Sequence, residues 1–181
     1  MHRLNLPLTA KDIASLKVGD EVSLTGVIYT ARDRAHQYLL EEDFDRIKGG
    51  VIYHCGPIVK NGKIVAAGPT TSARMNGFTP AVINKYGVKA IIGRGGMNND
   101  VIDALKGNAV YLTAIGGAAV LYADTMKLLN TFKEELGMPE AIYEIEVKDF
   151  PAIVAIDSFG SSLYQDVNGS SKLKLESLLQ G

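Results

Sequence analysis

Residues 88–117 of this chain read VKAIIGRGGMNNDVIDALKGNAVYLTAIGG and contain one pattern twice. A short apolar run, first at 88–92 and then at 109–115, ends each time in a turn that contains glycines. A helical pattern follows the first turn at 99–105. Short apolar runs that alternate with helices are typical of buried strands in an α/β sheet. This stretch predicts an α/β fold, a mixed sheet with helices packed outside it.

The flanking sequence adds further elements to this sheet. The dipeptide Asn61-Gly62 is a strong hairpin signal, and alternating apolar residues indicate the other strands. We expect helices over 32–47, 73–85 and 118–129, and strands over 21–30, 51–55, 58–60, 63–67, 141–147 and 152–156. No internal repeat or linker divides the chain. We therefore predict that residues 1–181 form a single domain with a weakly structured tail over 161–181.

The composition excludes several classes of protein. The 181 residues are 46% hydrophobic and 22% charged, as in a globular domain, and a net charge of -1 gives no general attraction to nucleic acid or to an anionic membrane. No apolar run reaches the roughly 20 residues of a membrane-spanning helix. The first seven residues lack the apolar core of a signal peptide, and the single cysteine allows no intrachain disulfide. We expect a cytoplasmic protein.

Three predicted loops each combine small residues with one arginine close to the start of a helix. They contain Arg32, Arg74 and Arg94. Arginine suits bidentate recognition of carboxylate or phosphate, and open α/β sheets bind their ligands at loops of this kind. Together the three arginines predict a pocket for a dicarboxylate or a phosphate. The alternative is that each arginine is a solvated side chain on its helix.

Nucleotide binding and hydrolase chemistry receive little support from the motifs. The glycine-rich turn at 93–96 is similar to the start of a dinucleotide-binding motif, but Asn98 stands where the third glycine belongs. The chain contains no Gly-x-Ser-x-Gly, no His-Glu-x-x-His and no Gly-x-x-x-x-Gly-Lys pattern. We therefore do not expect a serine hydrolase, a zinc protease or a P-loop enzyme.

The cysteine and the histidines do not form a metal site in the sequence. A zinc site or an iron–sulfur cluster needs three or four thiolate or imidazole ligands. Cys55 with His2, His36 and His54 does not make such a set, and His54 and Cys55 are neighbours on a predicted strand, so their side chains point to opposite faces. We expect a packed Cys55, an edge position for His54, and a packed or capping His36.

Seven segments of the chain resemble one enzyme family in their order and spacing. They are TARDRAH (30–36), YHCGP (53–57), AGPTTSARM (67–75), GRGGM (93–97), AIGGAA (114–119), ELGMPEA (135–141) and VKDFP (147–151). These segments resemble the beta subunit of class I fumarate hydratase and of L(+)-tartrate dehydratase, over residues 8–160. The segment GPTTSARM is specific enough to carry the resemblance.

The resemblance implies a swivelling β/β/α domain that closes over a [4Fe-4S] cluster. The cluster would be held by a separate alpha subunit, so this chain would be inactive alone and would work in a heterodimer or heterotetramer. In the family the open iron acts as a Lewis acid while a base removes a proton from the adjacent carbon, which gives reversible loss of water. We expect the alpha subunit to dock on an apolar, glycine-rich face formed by 93–97 and 116–119.

The resemblance also implies roles for individual loop residues. Arg32 and Arg74 match the two substrate-binding arginines, and Thr70 matches the residue proposed as the base. A threonine hydroxyl is a very weak acid, so Thr70 would need a neighbouring carboxylate from the alpha subunit; taken alone, Thr70 has the simpler role of a helix cap. Arg94 stands where the family has lysine. It can still bind a carboxylate, but it does not readily release a proton.

The expected reaction is the reversible hydration of fumarate to malate, a small dicarboxylate. Dehydration of L(+)-tartrate is the first alternative, because residues that distinguish the two substrates can lie on the alpha subunit. A non-catalytic carboxylate-binding module is the second alternative, because Arg94 replaces the lysine of the family and the alpha chain lies outside this sequence.

Overall fold

The strands and helices follow one another in a mixed order along residues 1–179, the part of the chain that the computed structural model describes. The strands are β1 (His2–Asn5), β2 (Glu21–Thr30), β3 (Val51–Tyr53), β4 (Ile58–Lys60), β5 (Lys63–Ala66), β6 (Ala90–Gly93), β7 (Val110–Thr113), β8 (Met126–Phe132) and β9 (Ile142–Ile156). The α-helices are α1 (Ala10–Ser15), α2 (Asp33–Glu41), α3 (Thr79–Tyr86), α4 (Asn99–Leu105), α5 (Ala119–Ala123) and α6 (Leu163–Leu179). Short 3-10 helices lie at Asp45–Ile47, Ser72–Met75 and Glu134–Leu136.

The central sheet is mixed, with the strand order β1-β2-β3-β6-β7-β9-β8. The strands from β1 to β7 in this order run parallel, whereas β9 is antiparallel to β7, to β8 and also to β2. Because β9 pairs with both β2 and β7, the strands β2, β3, β6, β7 and β9 form a closed circuit. The predicted α/β class with a mixed sheet is confirmed.

Two apolar cores lie on opposite faces of this sheet. In β6, Ala90 and Ile92 belong to the first core, whereas Ile91 belongs to the second. The strands β3 and β7 alternate in the same way, which explains why they are apolar on both faces. The β4–β5 hairpin and α5 pack on the first core, and α2, α3 and α4 cover the second core from outside. This arrangement leaves the carboxyl ends of the parallel strands at one edge.

The predicted helix over 118–129 is wrong beyond its first turn. Helix α5 ends at Ala123, and β8 follows and pairs with β9. The predicted break between 147 and 152 is also absent, because β9 runs continuously past Pro151. Proline fits there because β8 pairs only as far as Val147 and β7 begins to pair at Ile153, which leaves one edge of β9 open between them. In both places pairing between strands overrides the local pattern.

The C-terminal tail follows β9 and packs little against the rest of the chain. Its described part forms helix α6, none of whose residues is buried, and Gln180 and Gly181 lie outside the described residues. Tyr164 in the first turn of α6 packs against the second core. Of the helices within residues 1–179, none is both long and apolar enough to traverse a bilayer.

Candidate active site

Three arginine-bearing loops meet at the carboxyl edge of the parallel strands. Loop 1 (residues 30–33) follows β2, loop 2 (residues 67–75) follows the hairpin, and loop 3 (residues 93–97) follows β6. A 2.7 Å ion pair between Arg74 and Asp33 joins loops 1 and 2. Backbone pairing between Thr71 and Arg94 joins loops 2 and 3. The structure therefore brings the sequence-predicted residues into one connected surface.

Arg32 is the most enclosed of the three arginines. It is the N-cap residue of α2, and its side chain, only 21% exposed, lies 3.4 Å (Nε to Oε1) from the carboxylate of Glu140. Its Nε is buried without a hydrogen-bond partner in the described chain. A Cβ at Gly56 would lie 2.9 Å from Nη1 of Arg32 and 2.5 Å from the carbonyl oxygen of Pro139. Gly56 is thus needed to leave room for this guanidinium.

Arg74 lies on the 3-10 helix Ser72–Met75, where the sequence predicted the first turn of an α-helix. Its Nη2 donates to Oδ2 of Asp33, a residue of the first turn of α2. Half of the Arg74 side chain is exposed to solvent. A guanidinium has five N–H donors, so one edge of Arg74 can bind Asp33 while the rest remains open to a ligand.

Arg94 is held by the backbone of loop 2. Its Nε donates to the carbonyl oxygen of Pro69 at 3.1 Å, and its own carbonyl accepts from the N–H of Ser72 at 3.0 Å. Within residues 1–179 its two terminal nitrogens make no hydrogen bond and no ion pair. Arg94 therefore carries a charge that no carboxylate of the described chain offsets.

Thr70 lies in loop 2 between Arg74 and the end of β3. Its N–H donates to the carbonyl oxygen of His54 at 2.7 Å, so the backbone of this residue is fixed. The hydroxyl forms no hydrogen bond with a carboxylate or an imidazole of residues 1–179. Nothing in the described chain would activate it as a base.

Two histidines lie directly beneath the loops, and the expected edge position of His54 is wrong. Both His36 and His54 are fully buried, because β3 lies between β2 and β6 and α2 covers the second core. Burial lowers the pKa of His36 to about 4, although hydrogen bonding to the Arg32 carbonyl opposes the shift. Burial also lowers the pKa of His54 well below its ordinary value. Both rings are therefore neutral at pH 7, with centroids 5.0 Å apart.

Cys55 is a packed thiol, as expected. It is buried and forms a backbone bridge with Pro69, and burial raises the pKa of its thiol to about 12. A metal-ligating cysteine must be a thiolate. In the described part of the chain, no three His, Cys, Asp or Glu side chains form a group that could hold a metal ion. The residues present here do not fit an iron–sulfur cluster.

An apolar surface adjoins loop 3. The turn after β7 contacts this loop through the N–H of Ala114, which donates to the carbonyl of Gly93 at 2.8 Å. Around the turn, Ile115 is 65% exposed, Val120 63% and Leu121 71%. Large apolar side chains clustered at the surface are typical of an interaction site. These three side chains flank the predicted segment 116–119, whereas Met97, the large apolar residue of the predicted segment 93–97, is buried.

An α/β domain that gathers three arginines on adjoining loops belongs to the class of domains suited to binding anionic ligands. Comparison with known families makes the class specific. Residues 1–167 match the family described as Fumarase C-terminus. The chain belongs to this family.

Individual relatives are similar over most of this chain. A protein of Geobacillus stearothermophilus, named as a class I fumarate hydratase, is 44% identical over 180 residues, which are 95% of this chain and 35% of the relative. A protein of Methanocaldococcus jannaschii, named as an L(+)-tartrate dehydratase subunit beta, is 44% identical over 95% of both chains. The Escherichia coli K12 L(+)-tartrate dehydratase subunit beta is 39% identical over 88% of this chain and 85% of its own length. The chain thus spans about a third of the first relative and most of the other two.

The sequence did not point to several residues of the site. Asp33 and Glu140 each contact a predicted arginine, and Gly56 makes room for Arg32. Their segments, TARDRAH, ELGMPEA and YHCGP, carry the family resemblance, and that was the available signal.

Proposed function

We propose that this chain is the beta subunit of an iron–sulfur hydro-lyase that catalyses the reversible hydration of fumarate to malate. The observation that carries the proposal is the set of three arginines on contacting loops, each already anchored within the chain. Membership of the Fumarase C-terminus family supports it. So do relatives of similar length that are named as beta subunits.

The proposed task of the arginines is to bind the two carboxylates of the substrate. Glu140 and Asp33 partly offset the charges of Arg32 and Arg74, whereas Arg94 has no such partner in the described chain. Anchored guanidinium groups lose little conformational freedom when a ligand binds. The site is thereby suited to a small dianion held by charge-assisted hydrogen bonds.

Thr70 is the proposed acceptor of the substrate proton. In the dehydration direction, its hydroxyl oxygen would take the proton from the carbon next to the one that bears the hydroxyl group. A base from outside this chain must activate Thr70, because the described residues provide none. Arg94 would bind a carboxylate and would not transfer a proton, because a guanidinium remains charged at any physiological pH.

The cofactor and the rest of the site are assigned to an alpha subunit. Cys55 is buried and protonated and cannot supply a thiolate, so we assign the [4Fe-4S] cluster to the partner. The apolar surface at Ile115, Val120 and Leu121 is the proposed docking site, because it adjoins loop 3. The assembly would be a heterodimer or a heterotetramer, and a lone free cysteine is consistent with a cytoplasmic location.

A second candidate is the dehydration of L(+)-tartrate. It is favoured by the names of the two relatives that this chain matches over 95% and 85% of their own length. Both substrates are four-carbon dicarboxylates, so the same arginines would serve either reaction.

The test is anaerobic reconstitution with a cysteine-bearing alpha subunit encoded next to this chain. The complex is loaded with iron and sulfide and assayed with fumarate, malate and L(+)-tartrate, with each subunit alone as a control. Turnover of fumarate supports the first proposal, and turnover of tartrate alone supports the second. No turnover, together with tight binding of fumarate by the isolated chain, would identify a non-catalytic carboxylate-binding module instead.

A further inference from the structure

The geometry points to Tyr111 as a positioning residue. Through Ser72 and His54 it fixes loop 2, which carries Thr70 and Arg74, against loop 3. The three side chains form one buried hydrogen-bonded chain that extends from the end of β3 to β7, two strands away in the sheet. His54 follows β3, Ser72 lies in loop 2, and Tyr111 belongs to β7. This inference rests on the proposed function for its catalytic consequence.

The contacts of the chain are short, and its three side chains are buried. Nδ1 of His54 lies 2.9 Å from Oγ of Ser72, which lies 3.0 Å from the hydroxyl of Tyr111. The same hydroxyl donates to the carbonyl oxygen of Gly95 in loop 3 at 2.8 Å. His54, Ser72 and Tyr111 have no accessible surface. A buried polar group that has no hydrogen-bond partner destabilises the folded chain, so each contact constrains the next one.

The Tyr111 hydroxyl contacts both loops. It is placed to donate to the carbonyl oxygen of Gly95 in loop 3 and to Oγ of Ser72 in loop 2. Burial raises the pKa of Tyr111, which keeps the proton on this hydroxyl. Oγ of Ser72 also lies beside Nδ1 of His54, so contacts on two sides define one position for Ser72.

Steric constraints lead to the same position. A Cβ at Gly93 would overlap Oγ of Ser72 and would lie 3.3 Å from Nδ1 of His54. Glycine at the end of β6 therefore makes the space that Ser72 occupies. The backbone at Ser72 and just before it is bound as well, since the N–H of Thr70 donates to the His54 carbonyl and the N–H of Ser72 to the Arg94 carbonyl.

The proposed catalytic groups are attached to this chain at several points. Thr70 precedes Ser72 by two residues and Arg74 follows it by two. Arg94 precedes Gly95, the final acceptor. Loops 2 and 3 are otherwise partly exposed, and a displacement of about 1 Å at reacting groups can cost roughly 100-fold in rate. Tyr111 touches neither of the loop arginines by hydrogen bonding, so its role is to hold the loops.

The test compares Tyr111→Phe with Tyr86→Phe as the matched control. Both tyrosines are buried, and Tyr86 likewise donates to backbone carbonyls, those of Leu39 and Glu42, at the far end of α2. Both variants should lower the Tm to a similar extent. In the reconstituted complex we expect Tyr111→Phe to lower kcat about 10- to 100-fold with a smaller change in KM, and Tyr86→Phe to leave both within about twofold.

A second readout uses the isolated chain and needs no activity. Amide hydrogen exchange at Thr70 and Ser72 should become at least about tenfold faster in Tyr111→Phe and remain unchanged in Tyr86→Phe. Equal exchange and equal kcat in the two variants would overturn the inference. If Tyr111→Phe does not fold, Ser72→Ala gives the same comparison. An inactive wild-type complex would count against the proposed function alone, and the exchange rates would still decide the role of Tyr111.

Discussion

Asp33 and Arg74 are 41 residues apart in the sequence, and their side chains meet at 2.7 Å where loop 1 crosses loop 2. The carboxylate binds one edge of the guanidinium, so the other edge has a defined direction before any ligand arrives. Arg32 and Glu140 repeat this arrangement at 3.4 Å. Each arginine that resembles a substrate ligand of the family is thus already paired with a carboxylate of its own chain.

Replacement of Asp33 by Asn tests the orientation of Arg74. We expect KM for the dicarboxylate to rise several-fold with little change in kcat, because the guanidinium loses its ionic anchor. The free energy of unfolding should change by less than about 1 kcal/mol, since both side chains are partly exposed. Steady-state kinetics of the reconstituted complex and urea denaturation provide the measurements. Asp103→Asn, which removes an exposed pair with Lys106, is the control; equal kinetic parameters in the two variants would refute the assignment.

Replacement of Arg74 by Ala tests the carboxylate-binding role directly. Loss of a charged contact to substrate should cost about 2 to 5 kcal/mol, or roughly thirtyfold to several thousandfold in kcat/KM. The melting curve should hardly move, because Arg74 is half exposed. Arg3→Ala, an exposed arginine on β1, should leave kcat/KM unchanged. Wild-type kcat/KM in Arg74→Ala would remove this residue from the site.

Replacement of Gly56 by Ala tests the space reserved for Arg32. The added methyl group would meet the Pro139 carbonyl and the Arg32 guanidinium, so we expect a loss of about 1 to 3 kcal/mol in stability together with reduced kcat/KM. Gly77→Ala is the matched control, because nothing lies within 4 Å of a Cβ there. Thermal unfolding and kinetics are measured for both. Similar behaviour of the two variants would contradict the packing role of Gly56.

The two buried histidines predict a loss of stability in mild acid. Burial lowers the pKa of His36 to about 4 and that of His54 well below its ordinary value of 6.5. Below pH 6.5 the unfolded chain binds protons that the folded chain excludes, so the free energy of unfolding falls as the pH drops. Each histidine contributes up to about 1.4 kcal/mol per pH unit, and the contribution of His36 ends near pH 4.

Urea denaturation at pH 7, 6 and 5 measures this dependence. His36→Gln should have a shallower slope than the wild type, because it removes one of the two buried imidazoles. Equal stability of the wild type at pH 7 and pH 5 would show that the buried rings take up protons in the folded state.

Cys55 should be inert in the folded chain. Its buried thiol, with a pKa of about 12, should resist alkylation by iodoacetamide at pH 8 and react fully in urea, as followed by mass spectrometry. Cys55→Ala should leave the iron content of the reconstituted complex unchanged. A drop in iron content in a folded variant would place a cluster ligand on this chain and would contradict the assignment of the cluster to the partner.

Local sequence signals predicted the parts of the fold that depend on residues close together in the sequence. The hairpin β4–β5 follows from Asn61-Gly62. Strand β2 has the predicted bounds because its apolar alternation resumes after a shift at Gly26, where the pairing with β9 also shifts register. The strand β8 was missed because its sequence is compatible with a helix and its strand conformation depends on β9. Likewise β9 continues through Pro151 only because its neighbours leave an edge open there.

The same distinction applies to the site. The arginine loops were recognisable because each arginine lies within three residues of a glycine or a threonine, close to the end of a strand or hairpin. The partners of these arginines were not recognisable in the sequence, since Glu140 lies 108 residues after Arg32 and contacts it only in the folded chain. The buried hydrogen bonds of Ser72 depend in turn on Tyr111, 39 residues away. Contacts of this kind have no local pattern.

The long strand β9 has a consequence for how the chain is made. It contributes residues to both cores. It also pairs with β2, which is the second strand to be synthesised, and this pairing extends from Glu21 with Ile153 to Tyr29 with Glu144. During translation, β2 therefore cannot pair with β9 until more than a hundred further residues have left the ribosome. Contacts so distant in sequence are associated with slow folding and long exposure of apolar strands. Nascent chains that stop before Ile142 should accordingly depend on chaperones to remain soluble.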